Sequence, residues 1–223
     1  MIITYHGAAM VKVSHGEWLA VFNPIGHSSE FKSSRFSADL AMVSLNDPAY
    51  NGLAEATPPE RFCRAGFGGR KPFVIDGPGE YEVAGTFIRG FASPGPGAKI
   101  NIIFDLALDG KRLVHLGALA DPDLPTSVKE ELVPVDILFV PIAGSPRSRS
   151  GEAGDELLSP RTAYQIALSL NPHLIVPVHY TPETLKQFLK EAGEEGLKTL
   201  DKLAVRGKEL AENEAAVAVL EPI

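Results

Sequence analysis

Asp136-Ile137-Leu138-Phe139-Val140-Pro141-Ile142 is the stretch on which the fold class turns. After one acid it is apolar at every position and reads as a strand. Helix and strand patterns then alternate. Ser159 is placed to cap a helix with Pro160 at its first position. Ala163, Ile166, Ala167 and Leu170 recur at helical spacing and make its buried stripe. Leu174 to Val178 is a second apolar strand. Thr181 and Pro182 repeat the cap pattern, and Leu185, Phe188, Leu189 and Ala192 face inward before Gly193. Ala215 to Leu220 is expected to close the sheet. Upstream, Ser127 to Leu132 reads as a short helix, with Ser127 and Glu130 at capping-box spacing.

The first half has a different texture. Ile2 to Tyr5, Ala9 to Ser14 and Trp18 to Phe22 are short β-rich runs, with His15-Gly16 turning the second into the third. Leu40 to Ser44 is a short buried strand ended by Asn46-Asp47-Pro48, which is turn chemistry. Pro72 to Ile75 and Tyr81 to Phe91 are further strands, the latter broken near Ala84-Gly85. Ser93-Pro94-Gly95-Pro96-Gly97 is expected to be loop. Ile100 to Leu108, Asp109-Gly110 and Lys111 to Leu116 make a hairpin with a type I′ turn. Meanders followed by βα units predict an α/β fold, sheet inside and helices outside, as a single domain over 1–223. No linker and no repeat interrupts the pattern.

The 223 residues include 44% hydrophobic and 22% charged side chains, a globular balance. Lys+Arg is 21 against Asp+Glu 28, a net charge of -7. Nonspecific nucleic-acid binding needs a basic surface, so nucleic acid is disfavoured as a partner. The one cysteine, Cys63, rules out a disulfide framework and Cys-rich zinc modules. No apolar run reaches the ~18 residues of a membrane span, and the start lacks a secretory pattern. A cytoplasmic protein is the expectation.

Six fragments in order carry a resemblance. They are Arg35-Phe36-Ser37-Ala38-Asp39-Leu40; Val43-Ser44-Leu45-Asn46-Asp47-Pro48-Ala49-Tyr50-Asn51; Ile75-Asp76-Gly77-Pro78-Gly79-Glu80-Tyr81-Glu82-Val83; His115-Leu116-Gly117-Ala118-Leu119; Val135 to Pro141; and Ile175-Val176-Pro177-Val178-His179-Tyr180. Together they resemble the metallo-β-lactamase-fold superfamily, in the zinc-dependent hydrolase branch that includes the ascorbate-6-phosphate lactonases. The resemblance implies an αββα sandwich of two mixed β-sheets with helices outside.

It also implies a metal cluster that lowers the pKa of a bound water and polarises the scissile bond. Here the ligand positions depart from the family. Leu45, Asp47, Ala49 and Tyr50 stand where the family has His, His, Asp and His. Ala118 replaces a bridging Asp, Asn23 an Asp, and Ala8 a His. The stretch Ser93 to Pro96 offers no ligand in place of the family's His-Asp. Leu and Ala cannot bind metal, and a Tyr ligand costs deprotonation from a pKa near ~10. His179 alone clearly remains.

Several residues carry two readings each. His179 is a leftover ligand or a strand-end hydrogen-bonding group. His115 is a satisfied core histidine, or it joins Asp47 and His179 in a two-His, one-carboxylate site for one Zn, Mn or Fe ion. Asp47 is otherwise a turn residue, and the ring of Tyr50 otherwise fills an emptied cavity. Asp76 and Glu80 cap a Gly-Pro-Gly turn or do acid/base work. Gly66 to Lys71 resembles a phosphate loop only superficially, and Arg147 and Arg149 lie in a Ser/Arg loop spanning 144–154. The expectation is a metal-free binding or scaffold protein with a degenerate metal site, a pseudoenzyme with no cofactor. Its pocket of Asn23, Asp47, Tyr50, His115 and His179 is open to a small molecule, and it self-associates as a homo-oligomer. The alternative is a lactonase-like or phosphoesterase-like hydrolase with a rebuilt mononuclear site.

Overall fold

A computed structural model describes residues 1–33, 35–57, 71–144, 157–206 and 215–223. Its strands begin with β1 (Ile2–Tyr5), β2 (Val11–His15), β3 (Trp18–Phe22), β4 (Phe36–Ser37) and β5 (Leu40–Met42). Next come β6 (Ala56–Thr57), β7 (Phe73–Ile75), β8 (Gly79–Val83), β9 (Thr86–Pro94) and β10 (Ile100–Leu108). The last are β11 (Lys111–His115), β12 (Val135–Pro141), β13 (Pro172–Val178), β14 (Leu203–Ala204) and β15 (Ala216–Val217). Three described helices are α1 (Thr126–Leu132), α2 (Pro160–Ser169) and α3 (Pro182–Ala192).

Two mixed sheets lie face to face. One is ordered β14-β1-β2-β3-β5-β7 and the other β15-β13-β12-β11-β10-β9-β8. Alternation along the strands explains the packing. Ile3, Tyr5, Val13, Phe22 and Met42 of the first sheet share a core with Phe104, Leu106, Ile137, Phe139 and Val176 of the second. The intervening residues Ile103, Val114, Leu138, Val140 and Ile175 meet Ala163, Ile166, Ala167 and Phe188 of the helices. Strand β12 is therefore covered on both faces, which is why its sequence is continuously apolar. Each large side chain so buried stabilises the fold by ~1.5–3 kcal/mol. On the outer face of the six-stranded sheet, Met10, Val21, Ile25, Phe36 and Ala38 form a smaller cluster with Phe31. This is the αββα sandwich expected from the sequence.

Local chemistry accounts for the boundaries. Ser159 Oγ accepts from Thr162 N–H at 3.2 Å. Thr181 Oγ1 accepts from Thr184 N–H at 3.2 Å, and Thr184 Oγ1 accepts in return from Thr181 N–H at 2.9 Å. Gly193 ends α3 at φ 73°. Asp109 and Gly110 both take positive φ, as the hairpin turn needs.

Three expectations need correction. Ser127 is not a cap: α1 starts at Thr126 after Pro125 with no side-chain cap bond, because Pro125 already sets the entry. Ser93 and Pro94 belong to β9, since a partner strand, β10, lies across from them in register with Asn101 and Ile100. The closing strand shortens to Ala216–Val217, with Leu220 in an isolated bridge to Leu200. Cys63, Gly66 to Arg70, Arg147, Arg149 and most of the Ser/Arg loop lie outside the described residues.

One polar cluster sits on the helix side of the second sheet. Asp105 of β10 is 4% exposed. Arg89 opposite it on β9 and Arg112 on β11 each donate to Asp105 Oδ2 at 2.8 Å. Both guanidiniums also donate to the Glu131 carbonyl, one of the otherwise unpaired carbonyls that end α1. No described helix is long and apolar enough to cross a membrane.

Candidate functional site

The candidate residues lie at or beyond the C-terminal ends of β3, β5, β11 and β13, which hydrogen bonds tie together. Asn23 N–H donates to Met42 O at 2.8 Å, and Ile102 N–H to the Ser44 carbonyl at 2.9 Å. Ala8 (φ 43°), Asn23 (φ 50°) and His179 (φ 50°) are all left-handed. That conformation costs a non-glycine residue roughly 1–2 kcal/mol, so surrounding contacts must hold it. At His179 they are visible. Its N–H is shared between the Ala8 carbonyl and Tyr5 Oη, and Tyr5 O–H in turn donates to Ala8 O at 2.9 Å.

Tyr50 and His179 meet. Tyr50 Oη lies 2.7 Å from His179 Nδ1. Burial pushes the Tyr50 hydroxyl far above its usual pKa, with the Asp47 charge adding to the effect, so the phenol is protonated and donates. Nδ1 is then the acceptor and the ring proton is on Nε2. Burial holds the His179 pKa down to about 4 against the opposing pull of Asp47. Phe31 sets its ring edge-on to the imidazole, with centroids 5.0 Å apart.

His115 is elsewhere, between the sheets and without exposed surface. Its ring stacks between Phe22 and Phe139, with centroids 5.2 and 5.5 Å away. Gly117 N–H donates to Nδ1 at 2.9 Å, which leaves Nε2–H to donate to the Ala9 carbonyl at 3.0 Å. Both ring nitrogens are thus committed within the protein. Burial lowers its pKa to about 3, with the Ala9 bond opposing.

Asp47 performs turn chemistry. Its Oδ1 accepts from Ala49 N–H at 3.1 Å, and its carbonyl accepts from Tyr50 and Asn51 N–H. Oδ2 pairs with the Lys99 ammonium at 3.2 Å on the surface. Asn23, without exposed surface, accepts from Ser44 N–H through Oδ1 at 2.8 Å. The five expected pocket residues therefore do not line one open cleft: Asn23 and His115 are sealed, Tyr50 is 4% exposed, and Tyr50, His179 and Asp47 form the remaining group.

Three of the positions that the resemblance assigns to ligands pack together. Leu45, Tyr50 and Ala118 pack with Ala9 as one buried apolar cluster, with Ala49 and Leu157 against it. Among the described residues no three His, Cys, Asp or Glu side chains converge into a group able to hold a metal ion. The fold family's metal centre does not fit these residues. His179 Nδ1 already accepts from Tyr50 and its Nε2 carries the ring proton, while His115 has no lone pair to give. The Asp47, His115 and His179 triad does not form.

Sequence reasoning passed over three supporting residues. Tyr5 orients the His179 backbone. Lys99 neutralises Asp47. Asn101, without exposed surface, donates to Ser93 Oγ at 2.8 Å and to the Leu116 carbonyl at 2.9 Å, while its Oδ1 accepts from Ala118 N–H. A polar residue inside the apolar run Ile100 to Leu108 was the available signal for Asn101.

Solved structures with the same architecture span nearly the whole chain. A proposed zinc-dependent hydrolase of the metallo-beta-lactamase superfamily from Thermotoga maritima is 24% identical, with a TM-score of 0.69 over 98% of this chain and 97% of that one. A metallo hydrolase from the hyperthermophilic archaeon Ignicoccus hospitalis is 16% identical, with a TM-score of 0.57 over 92% and 99%. An isothiocyanate hydrolase from Delia radicum gut bacteria is 13% identical, with a TM-score of 0.60 over 93% and 100%. At these identities the likeness establishes the fold alone. No protein of curated function matches the chain. The family profile for the Beta-lactamase superfamily domain matches residues 2–179, most of the length, and the chain belongs to that family.

Proposed function

We propose that this chain is a metal-free, non-catalytic member of the metallo-β-lactamase fold that acts as a binding or scaffold protein. The observation that carries the reading is the packing of Leu45, Tyr50 and Ala118, all at ligand positions, into one buried apolar cluster. A metal site keeps its carboxylates and imidazoles in a buried cleft because the ion pairs with them; without the ion those groups are costly. Apolar replacements remove the cost. Tyr50 adds a proton donor on the one histidine left there. The resemblance to the ascorbate-6-phosphate lactonase branch belongs to the same proposal, as ancestry of fold without the activity. So does self-association, which sedimentation of the purified chain tests. A single monomeric species would remove that part.

The test is metal content of protein purified without chelator, repeated after excess Zn(II), Mn(II) and Fe(II). Far less than one ion per chain is expected in every case. One tightly held ion per chain would overturn the reading in favour of a rebuilt mononuclear hydrolase site. That rival is supported by His179 with Asp47 near it, and it needs a further donor. In the same protein, Tyr50→Phe is expected to cost about 1 kcal/mol of stability by leaving His179 Nδ1 without its donor. It should create no metal binding, because it adds no ligand.

A further inference from the structure

Two buried polar atoms near the site have no partner among the described residues. Asn23 is 0% exposed and Ser44 1%. Asn23 Oδ1 accepts from Ser44 N–H at 2.8 Å, which fixes the amide, since the flipped amide would set NH2 against N–H. Asn23 Nδ2 and Ser44 Oγ are then both left unbonded. Asn101, equally buried, differs: both ends of its amide are engaged. Buried amides and hydroxyls nearly always find a partner, and water supplies it when protein does not.

We infer that a single buried water molecule bridges Asn23 Nδ2 and Ser44 Oγ. The Asn23–Ser44 bond sets the two residues side by side, and the two free groups are complementary to water. Nδ2 only donates, while Oγ both donates and accepts. Other ligands fit worse. The amide NH2 turns its hydrogens on a cation. On its Gly117 side Ser44 Oγ already has a second acceptor near it, Asn101 Oδ1, which disfavours an anion there. A Cβ built on Gly117 would lie 2.5 Å from the one and 2.4 Å from the other. Among the described residues no cationic side chain bonds to Asn23, Ser44 or Asn101 to balance an anion's charge. An apolar group would leave both atoms unmet.

Such a water links the end of β3 to the segment after β5, the two places that carry Asn23 and the Leu45 to Tyr50 turn. It would complete a hydrogen-bonded floor with Asn101 and the Gly117-Ala118 turn. The inference does not rest on the metal-free reading and holds for an active or an inactive chain.

A crystal structure of the full chain, at a resolution that shows ordered waters, is the direct test. One density peak within hydrogen-bond distance of both Asn23 Nδ2 and Ser44 Oγ is expected. A direct bond between those atoms, a bond of either to another protein group, or an empty site overturns the inference. Oxygen-17 relaxation dispersion in solution gives a second readout. Ser44→Ala removes one of the two anchors and is a mild change for the fold. The number of long-lived waters should fall by one relative to the unaltered chain, and an unchanged number in a folded variant would also overturn it.

Discussion

Asp105→Ala is expected to lower the unfolding free energy by about 3–5 kcal/mol, a large share of the total for a chain of this size. The carboxylate is 5% exposed and lies between the guanidiniums of Arg89 and Arg112, each 2.8 Å from Oδ2. Those arginine side chains are themselves only 18% and 20% exposed. Removing the acid leaves two half-sealed positive charges facing one another, with only the exposed Glu131 carboxylate, 3.4 Å from Arg89, as a negative partner. The Glu131 carbonyl stays as an acceptor but carries no full charge to offset theirs. Glu131→Ala is the contrast. Its carboxylate is 55% exposed and 3.4 Å from Arg89, a solvated pair for which at most ~1 kcal/mol is expected. Urea unfolding of both variants measures the difference. Similar losses for the two would mean that the cluster is ordinary surface charge.

Stability should also fall steeply in mild acid. His115 and His179 are held to about 3 and about 4 by burial, against an ordinary value of 6.5. Between pH 6.5 and 4 the unfolded chain therefore binds two protons that the folded chain refuses. Stability rises with pH wherever the unfolded state binds more protons, so these two groups contribute most above pH 6.5 and lose ground as pH falls. Each displaced proton is worth about 1.4 kcal/mol per pH unit once the unfolded imidazoles are fully protonated, so the pair removes about 4 kcal/mol between pH 6.5 and 4.5. Most carboxylates titrate lower, near about 4, which leaves the upper part of that window to the histidines. Urea midpoints at pH 7, 6 and 5 give the slope. His179→Asn should remove its own part and keep the shares of His115 and of His6, whose pKa burial also lowers. A midpoint that stays flat from pH 7 to 5 would show that these rings open to water more readily than their packing indicates.

The two histidines show where sequence reading stops. His115 ends a strand beside Gly117, and His179 follows a strand before a capped helix. Either could have been a ligand, and nothing local separates them. Strand alternation puts His115 on the inner face with Leu113, and only the sheet opposite supplies Phe22 to stack on it and Ala9 O to accept its proton. Partners 106 residues away leave no trace in the neighbouring residues. Tyr50 and His179, 129 residues apart, pose the same problem.

Asp105 and Asn101 were half legible. Both interrupt the apolar run of β10, which marks them as unusual, but their roles differ by face and partner. Asp105 has Arg89 across the ladder, while Asn101 holds the Gly117-Ala118 turn. The Ser127 cap failed because Pro125 fixes the helix start one residue earlier.

What the chain determined by itself was the set of elements and their faces. Apolar runs of strand length, helical stripes behind Ser159 and Thr181, and positive-φ residues at Asp109-Gly110 act within a few residues, so they survive reading in one dimension. The sequence also showed that the side chains of Leu45, Ala49 and Ala118, at positions the resemblance assigns to ligands, have no donor atoms in any fold. Tertiary structure alone decided what surrounds those positions. Closing the two sheets brought Leu45, Tyr50, Ala118 and Ala9 into one apolar cluster, gave His179 its tyrosine and left His115 and Asn23 without exposed surface. Burial and hydrogen-bond partnership are properties of neighbours in space, and here those neighbours come from strands far apart in the chain.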